Sequence, residues 1–106
     1  MLDAQLLVLD LIRALRPLCE QIARPSPDLA DQLRRAATSV MLNLGEGVRR
    51  TGRDKKRAYR IAAAEAREVG AALEAAVAWA WVDDAAVTAA RALADRVARV
   101  TYALAR

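Results

Sequence analysis

The chain has no histidine, no phenylalanine and a single cysteine among its 106 residues, with only two Trp and two Tyr. Without histidine, the Glu-x-x-His pattern that holds a carboxylate dimetal centre in helical bundles cannot occur. Cys19 alone forms neither an internal disulfide nor a cysteine cluster for zinc. Set among Leu18 and Ile22, it reads as a small packing residue rather than a nucleophile. Gly45-x-Gly47 stands by itself and is not a phosphate-cradling loop. Glu65 and Glu68 are paired on one helix but lie among Arg and Ala in a solvent-facing pattern. These absences point away from an enzyme, with no catalytic residue, metal site or cofactor site to name. No apolar run approaches the roughly 20 residues that span a bilayer. The start MLDAQLLVLDLIR lacks a basic leader and carries Asp3 and Asp10 through its apolar part, so a cytoplasmic protein without a membrane partner is expected.

What is present is alanine, apolar periodicity and a concentration of positive charge. An alanine-rich composition favours helix, because alanine loses no side-chain entropy there. Leu7, Leu11, Leu15, Leu18 and Ile22 recur at spacings of four and three and predict a first helix over residues 3–24. Ser26, Pro27, Asp28 and Asp31 then form a helix-start signal. The second helix is expected to run to about Arg49, with Leu29, Leu33, Ala36, Val40 and Leu44 inward. Thr51-Gly52-Arg53-Asp54 reads as a capping box for a third helix ending near Trp81. Its seam is Tyr59, Ala62, Ala66, Val69, Leu73, Ala76 and Ala80. Asp83 or Asp84 caps a fourth, with Val87, Ala90, Ala94, Val97, Thr101 and Leu104 inward. The fold expected is one all-α domain over residues 1–106, an antiparallel up-down-up-down four-helix bundle.

The charge is not spread evenly. Between Arg49 and Arg60 seven Lys or Arg face one acid, a net of +6 in a chain whose total is +4. The bundle topology gathers this hairpin, both termini, Arg96, Arg99 and Arg106 at one end, and Asp28, Asp31, Asp83 and Asp84 at the other. Such a cluster draws a polyanion, although a solvated helical turn would carry a similar run. The candidate phosphate-binding residues are Arg49, Arg50, Arg53, Lys55, Lys56, Arg57, Arg60 and Arg67. Trp79 and Trp81 lie far from them and read as packing or interface residues rather than base-stacking platforms.

Ser39, Asn43, Glu46 and Arg50 share one flank of the second helix, and Glu68 could approach them from the third. They form either a polar pocket or partner contact, or an internal network in which Glu46 pairs with Arg50 and Asn43 satisfies a neighbouring helix end. Gly45 and Gly47 imply a helix end or another backbone close by. Leu33-Arg34-Arg35-Ala36, Ser39, then Asn43-Leu44-Gly45-Glu46-Gly47, Arg49 or Arg50, and later Ile61-Ala62 and Glu68 together resemble a four-helix-bundle family. It includes proteins encoded in 23S ribosomal RNA intervening sequences and the accessory variability protein of diversity-generating retroelements. Leu44 and Gly45 stand where that family usually has Ile and Ala, and Ala64-Glu65 where its third helix usually has Gly-Ser. The resemblance implies a homopentamer with a positive surface. In the retroelement branch it further implies binding to RNA and to a reverse transcriptase.

The function expected is therefore an oligomeric nucleic-acid-binding accessory protein, with RNA favoured. The alternative is an interaction scaffold whose hairpin docks an acidic protein surface. Leu2, Leu6, Leu9, Leu42, Ile61 and Trp79 fall off the four core stripes and are the candidate oligomer interface.

Overall fold

The four apolar stripes each become one helix. In the computed structural model, which describes residues 1–106, α1 runs Asp3–Ala23, α2 Pro27–Arg49, α3 Gly52–Ala78 and α4 Asp84–Leu104, with no strand. The start of α2 is as the sequence predicts. Ser26 Oγ accepts a hydrogen bond from the Leu29 N–H at 3.2 Å, with Pro27 in the first helical position. At the start of α1 the Gln5 side chain accepts from the Leu2 N–H at 2.8 Å.

Two helix ends depart from expectation. Thr51 occupies the cap position of α3, but its side chain makes no capping bond. The chain enters α3 through Gly52 at φ +55°, a left-handed conformation natural to glycine, in place of a capping box. At its other end α3 stops at Ala78 rather than Trp81. Ala80 turns the chain at φ +60°, a left-handed conformation that costs a residue with a Cβ about 1–2 kcal/mol. Ala80 is consequently exposed and is not part of the seam.

α1 packs on α2 and α4, and α3 packs on the same two, closing a four-sided bundle. Three contacts fix the directions. Gln5 near the start of α1 lies against Gly45 near the end of α2. The Gln21 side chain at the end of α1 donates to the Trp81 carbonyl, and Arg91 of α4 reaches back to Glu74 of α3. The topology is up-down-up-down, 43 × 22 × 20 Å overall. The α2–α3 turn thus shares one end with both termini, and the α1–α2 and α3–α4 loops share the other.

The core follows the predicted stripes through Leu33, Val40 and Leu44 of α2, Val69 and Leu73 of α3, and Val87 and Val97 of α4, all fully buried. Each such side chain contributes about 1.5–3 kcal/mol by leaving water. The first half of α1 differs. Ala4 and Val8 are buried there, while Leu7 is half-buried and packs on the core's flank with Leu2. The seam continues upstream from Leu11 at the same three- and four-residue spacing through smaller side chains. Leu104 is also displaced outward, and Ala105 is buried in its stead. Thr101, the one buried polar residue, donates its hydroxyl to the Val97 carbonyl at 2.7 Å. Cys19 is buried, and burial pushes its thiol pKa up, which suits a packing residue. No helix is long and apolar enough to cross a membrane.

Candidate nucleic-acid interface

The hairpin is seated by one close contact. A Cβ on Gly47 would stand 2.4 Å from Tyr59 Cε1, so only glycine lets the last turn of α2 lie against that ring. Tyr59 is itself buried. The glycine that the sequence marked as a helix end or a close approach is here the bed of an aromatic side chain from α3. This contact sets the height at which the first turns of α3 leave the hairpin.

From that seat the basic side chains fan outward. Arg53, Lys56, Arg57 and Arg60 are all exposed, and none is within ion-pair distance of a carboxylate. Lys55 is half-buried, with its ammonium 5.8 Å from the centroid of the Tyr59 ring. Arg49 and Arg50 differ from these. Glu46 holds both, at 2.9 Å and 2.6 Å respectively. The hydrogen bond from Arg49, followed by that from Arg50, keeps the Glu46 carboxyl below its ordinary pKa. Two of the eight expected phosphate contacts are therefore already engaged within the molecule. Arg67 is exposed farther along α3, on the rim of a groove of about 280 Å³ between α3 and α4, away from the hairpin cluster.

The polar flank is an internal network in which Glu46 pairs with Arg50 as expected, but Asn43 bonds elsewhere than expected. Asn43 donates to the Ser39 carbonyl at 2.9 Å and to the Ser39 hydroxyl at 3.1 Å, within its own helix rather than at a neighbouring helix end. Glu68 does not approach Asn43 or Glu46. Antiparallel packing sets it against the first half of α2, where it accepts a hydrogen bond from Gln32 at 3.3 Å. Its neighbour Glu65 has a raised pKa, from burial first and then from the adjacent Glu68 carboxyl.

Two shallow clefts meet at Asn43 on the outer face of α2 and α3. One, of about 350 Å³, is lined by Glu46, Arg50, Asp54, Arg57 and Ile61. The other, of about 330 Å³, is lined by Arg34, Arg35, Ser39 and Leu42. Arg34 and Arg35 were absent from the residues expected at the site. Arg35 lies four before Ser39, so the spacing that joined Ser39 to Asn43 could have found it. Arg34 is held by Asp31 at 3.4 Å, whereas Arg35 has no such partner. The positive surface thus extends from the hairpin up the flank of α2.

Of the candidate interface residues, Leu6, Leu42, Ile61 and Trp79 are exposed, Trp79 at 68% and Leu42 at 67%. Leu2 and Leu9 are half-buried. No group of three or more Cys, Asp or Glu side chains is arranged to hold a metal ion.

Neither a curated protein nor a solved structure matches the chain. The family model described as 23S rRNA-intervening sequence protein matches residues 3–103, nearly the full length of the bundle. Helix order, the Gly47–Tyr59 seat and the Asn43–Glu46 flank all lie within that match, and the chain belongs to the 23S rRNA-intervening sequence protein family.

Proposed function

We propose that the protein is a non-enzymatic accessory protein that binds nucleic acid, RNA before DNA, through phosphate contacts at the α2–α3 hairpin. The observation that carries this reading is the exposed set Arg53, Lys56, Arg57 and Arg60, four cations on the opening turns of one helix without a carboxylate partner. Phosphates satisfy such a surface and release condensed counterions as they do so. Membership of a family described by a ribosomal RNA insertion favours RNA as the polyanion. The hairpin end exposes one aromatic ring, Tyr102, so binding rests mainly on backbone phosphates and duplex shape and discriminates weakly among sequences. The protein works in the cytoplasm. In a retroelement setting a reverse transcriptase is its protein partner.

The working form is a ring-like homo-oligomer. Leu6, Leu42 and Ile61 leave large apolar groups exposed on α1, α2 and α3, which supports association. The count of five follows the family resemblance. A ring aligns several hairpins and multiplies weak phosphate contacts into one wide face. Light scattering at tens of micromolar tests the assembly, and a monomer would refute it.

Binding to a structured RNA at several salt concentrations tests the function. Four phosphate contacts give a slope of log affinity against log salt of about −3 per engaged hairpin. Salt-independent binding, or tight binding to an acidic protein and none to RNA, would replace this reading with that of a protein scaffold.

A further inference from the structure

The end of the bundle opposite the hairpin carries an aromatic feature that nucleic-acid binding does not use. Trp79 and Trp81 are the only tryptophans in the chain. Their rings stack at 5.7 Å between centroids and 14° between planes. The residue between them, Ala80, is the one non-glycine residue in a left-handed conformation, so the turn that pairs the indoles is held under strain. Trp81 is pinned by the Gln21 bond to its carbonyl, whereas Trp79 presents its ring to solvent.

Beside the pair lies a cleft of about 250 Å³ between the start of α2 and the end of α3. Its polar lining is nearly all engaged. Ser26 caps α2, and Gln32 donates to Glu68. Asp28 makes no ion pair, although it lines the same cleft as the indoles. A carboxylate without a partner next to an exposed aromatic face is complementary to one kind of side chain. A guanidinium is planar, stacks on indole and pairs with a carboxylate, whereas an ammonium is a more strongly hydrated point charge.

We infer that the Trp79–Trp81 cleft docks an arginine-bearing peptide segment of a partner protein, by stacking on the indoles and pairing with Asp28. Two other occupants fit less well. Nucleic acid is disfavoured, because Asp31 and Asp84 already match Arg34 and Arg91 while Asp28 and Asp83 remain unpaired at this end. A second copy docking its basic hairpin end-on is limited by the 22 × 20 Å cross-section. That section offers roughly 400 Å² per copy, about half of what a standard interface buries on each partner. The inference is independent of whether the hairpin binds RNA.

Tryptophan fluorescence, excited beyond the tyrosine band, reports this site alone, since both tryptophans lie in it. The full chain is titrated with a synthetic peptide of alternating Arg and Gly, its Lys-Gly counterpart and an Asp-Gly control. A saturable change with the Arg peptide is expected, with the Lys peptide at least about threefold weaker and the Asp peptide silent. Trp79→Ala, which keeps Trp81 as reporter, and Asp28→Asn each weaken the Arg peptide by about fivefold or more. Arg53→Gln leaves it unchanged. Equal binding of the Arg and Lys peptides, or unaltered affinity in both cleft variants, would overturn the inference. So would a fluorescence change that follows the protein's own concentration, which would assign the cleft to a second copy.

Discussion

The two ends of the bundle differ in how many cations they leave unpaired. At the loop end, Arg91 bridges Asp84 at 2.8 Å and Glu74 at 2.9 Å and Arg34 is held by Asp31, while Arg24 is exposed without a partner. On the α2–α3 hairpin itself, only Arg49 and Arg50 are held, both by Glu46, and Arg53, Lys56, Arg57 and Arg60 are left over; Arg99 of α4, at the same end, is held by Asp95 at 3.0 Å. Composition alone does not make this distinction, since both ends contain several cations. Pairing does. An arginine clasped by its own chain's carboxylates has little to offer a phosphate, while one held by water alone can exchange that water for a ligand. The ends differ in aromatics too: Tyr59 is buried in the hairpin seat and Tyr102 is a lone exposed ring near the C-terminus, whereas the far end displays Trp79 stacked on Trp81.

The largest expected effect comes from breaking the seat that holds up the basic end. Gly47→Ala drives a Cβ into the Tyr59 ring, a buried group that cannot simply swing away. The change adds volume and leaves no cavity, so its cost is that of overpacking. A loss of about 1–3 kcal/mol is expected, read from the denaturant midpoint. An unaltered midpoint would show that the hairpin tolerates a shifted ring.

A smaller effect should come from breaking the assembly. Leu6→Glu puts a carboxylate on an exposed apolar position of α1 without touching the core. Native mass spectrometry should find the ring dissociated while circular dichroism shows the helices intact. RNA affinity should fall about tenfold or more as multivalency is lost. Retention of the full assembly would remove Leu6 from the interface.

The smallest effect sharpens the comparison of paired with unpaired cations. Glu46→Gln releases Arg49 and Arg50, making the hairpin end more unlike the loop end. The salt dependence of RNA binding should steepen by up to about 1.5. In the wild type, the depressed Glu46 pKa means the clasp stabilises the fold above the ordinary carboxylate range. That stability is lost as pH falls through the depressed value. Thermal unfolding followed from neutral into acid solution should show this loss in the wild type and not in the variant.

The parts legible in the sequence were those set by local spacing. Ser26-Pro27 announced α2, and the stripes through Leu33 to Leu44 and Tyr59 to Ala76 came out buried. Glu46 with Arg50 was legible because four residues on a helix bring two side chains together. What failed depended on packing or on backbone torsions. Leucines on several sides of α1 gave two usable stripes, and only contact with α2 and α4 selects Val8 and Ala4 over Leu7. Thr51 had the chemistry of a cap, but the left-handed Gly52 brings the chain into α3 another way. Glu68 was misplaced because its partner on α2 is set by the register of two antiparallel helices, which no local spacing reveals. The tryptophan stack likewise depends on a left-handed alanine that no propensity favours.

Whether the unpaired hairpin cations bind phosphate is read from the salt dependence of binding to one structured RNA, comparing the wild type with Arg53→Gln/Lys56→Gln/Arg60→Gln. Each lost contact reduces the slope of log affinity against log salt by about 0.7–0.9, so the triple variant should be shallower by about 2–3 per engaged hairpin. Arg91→Gln, which removes a clasped cation from the loop end, should leave the slope as it was. A triple variant with the wild-type slope, or a loop-end variant that loses slope as well, would rule out the hairpin cations as the phosphate site.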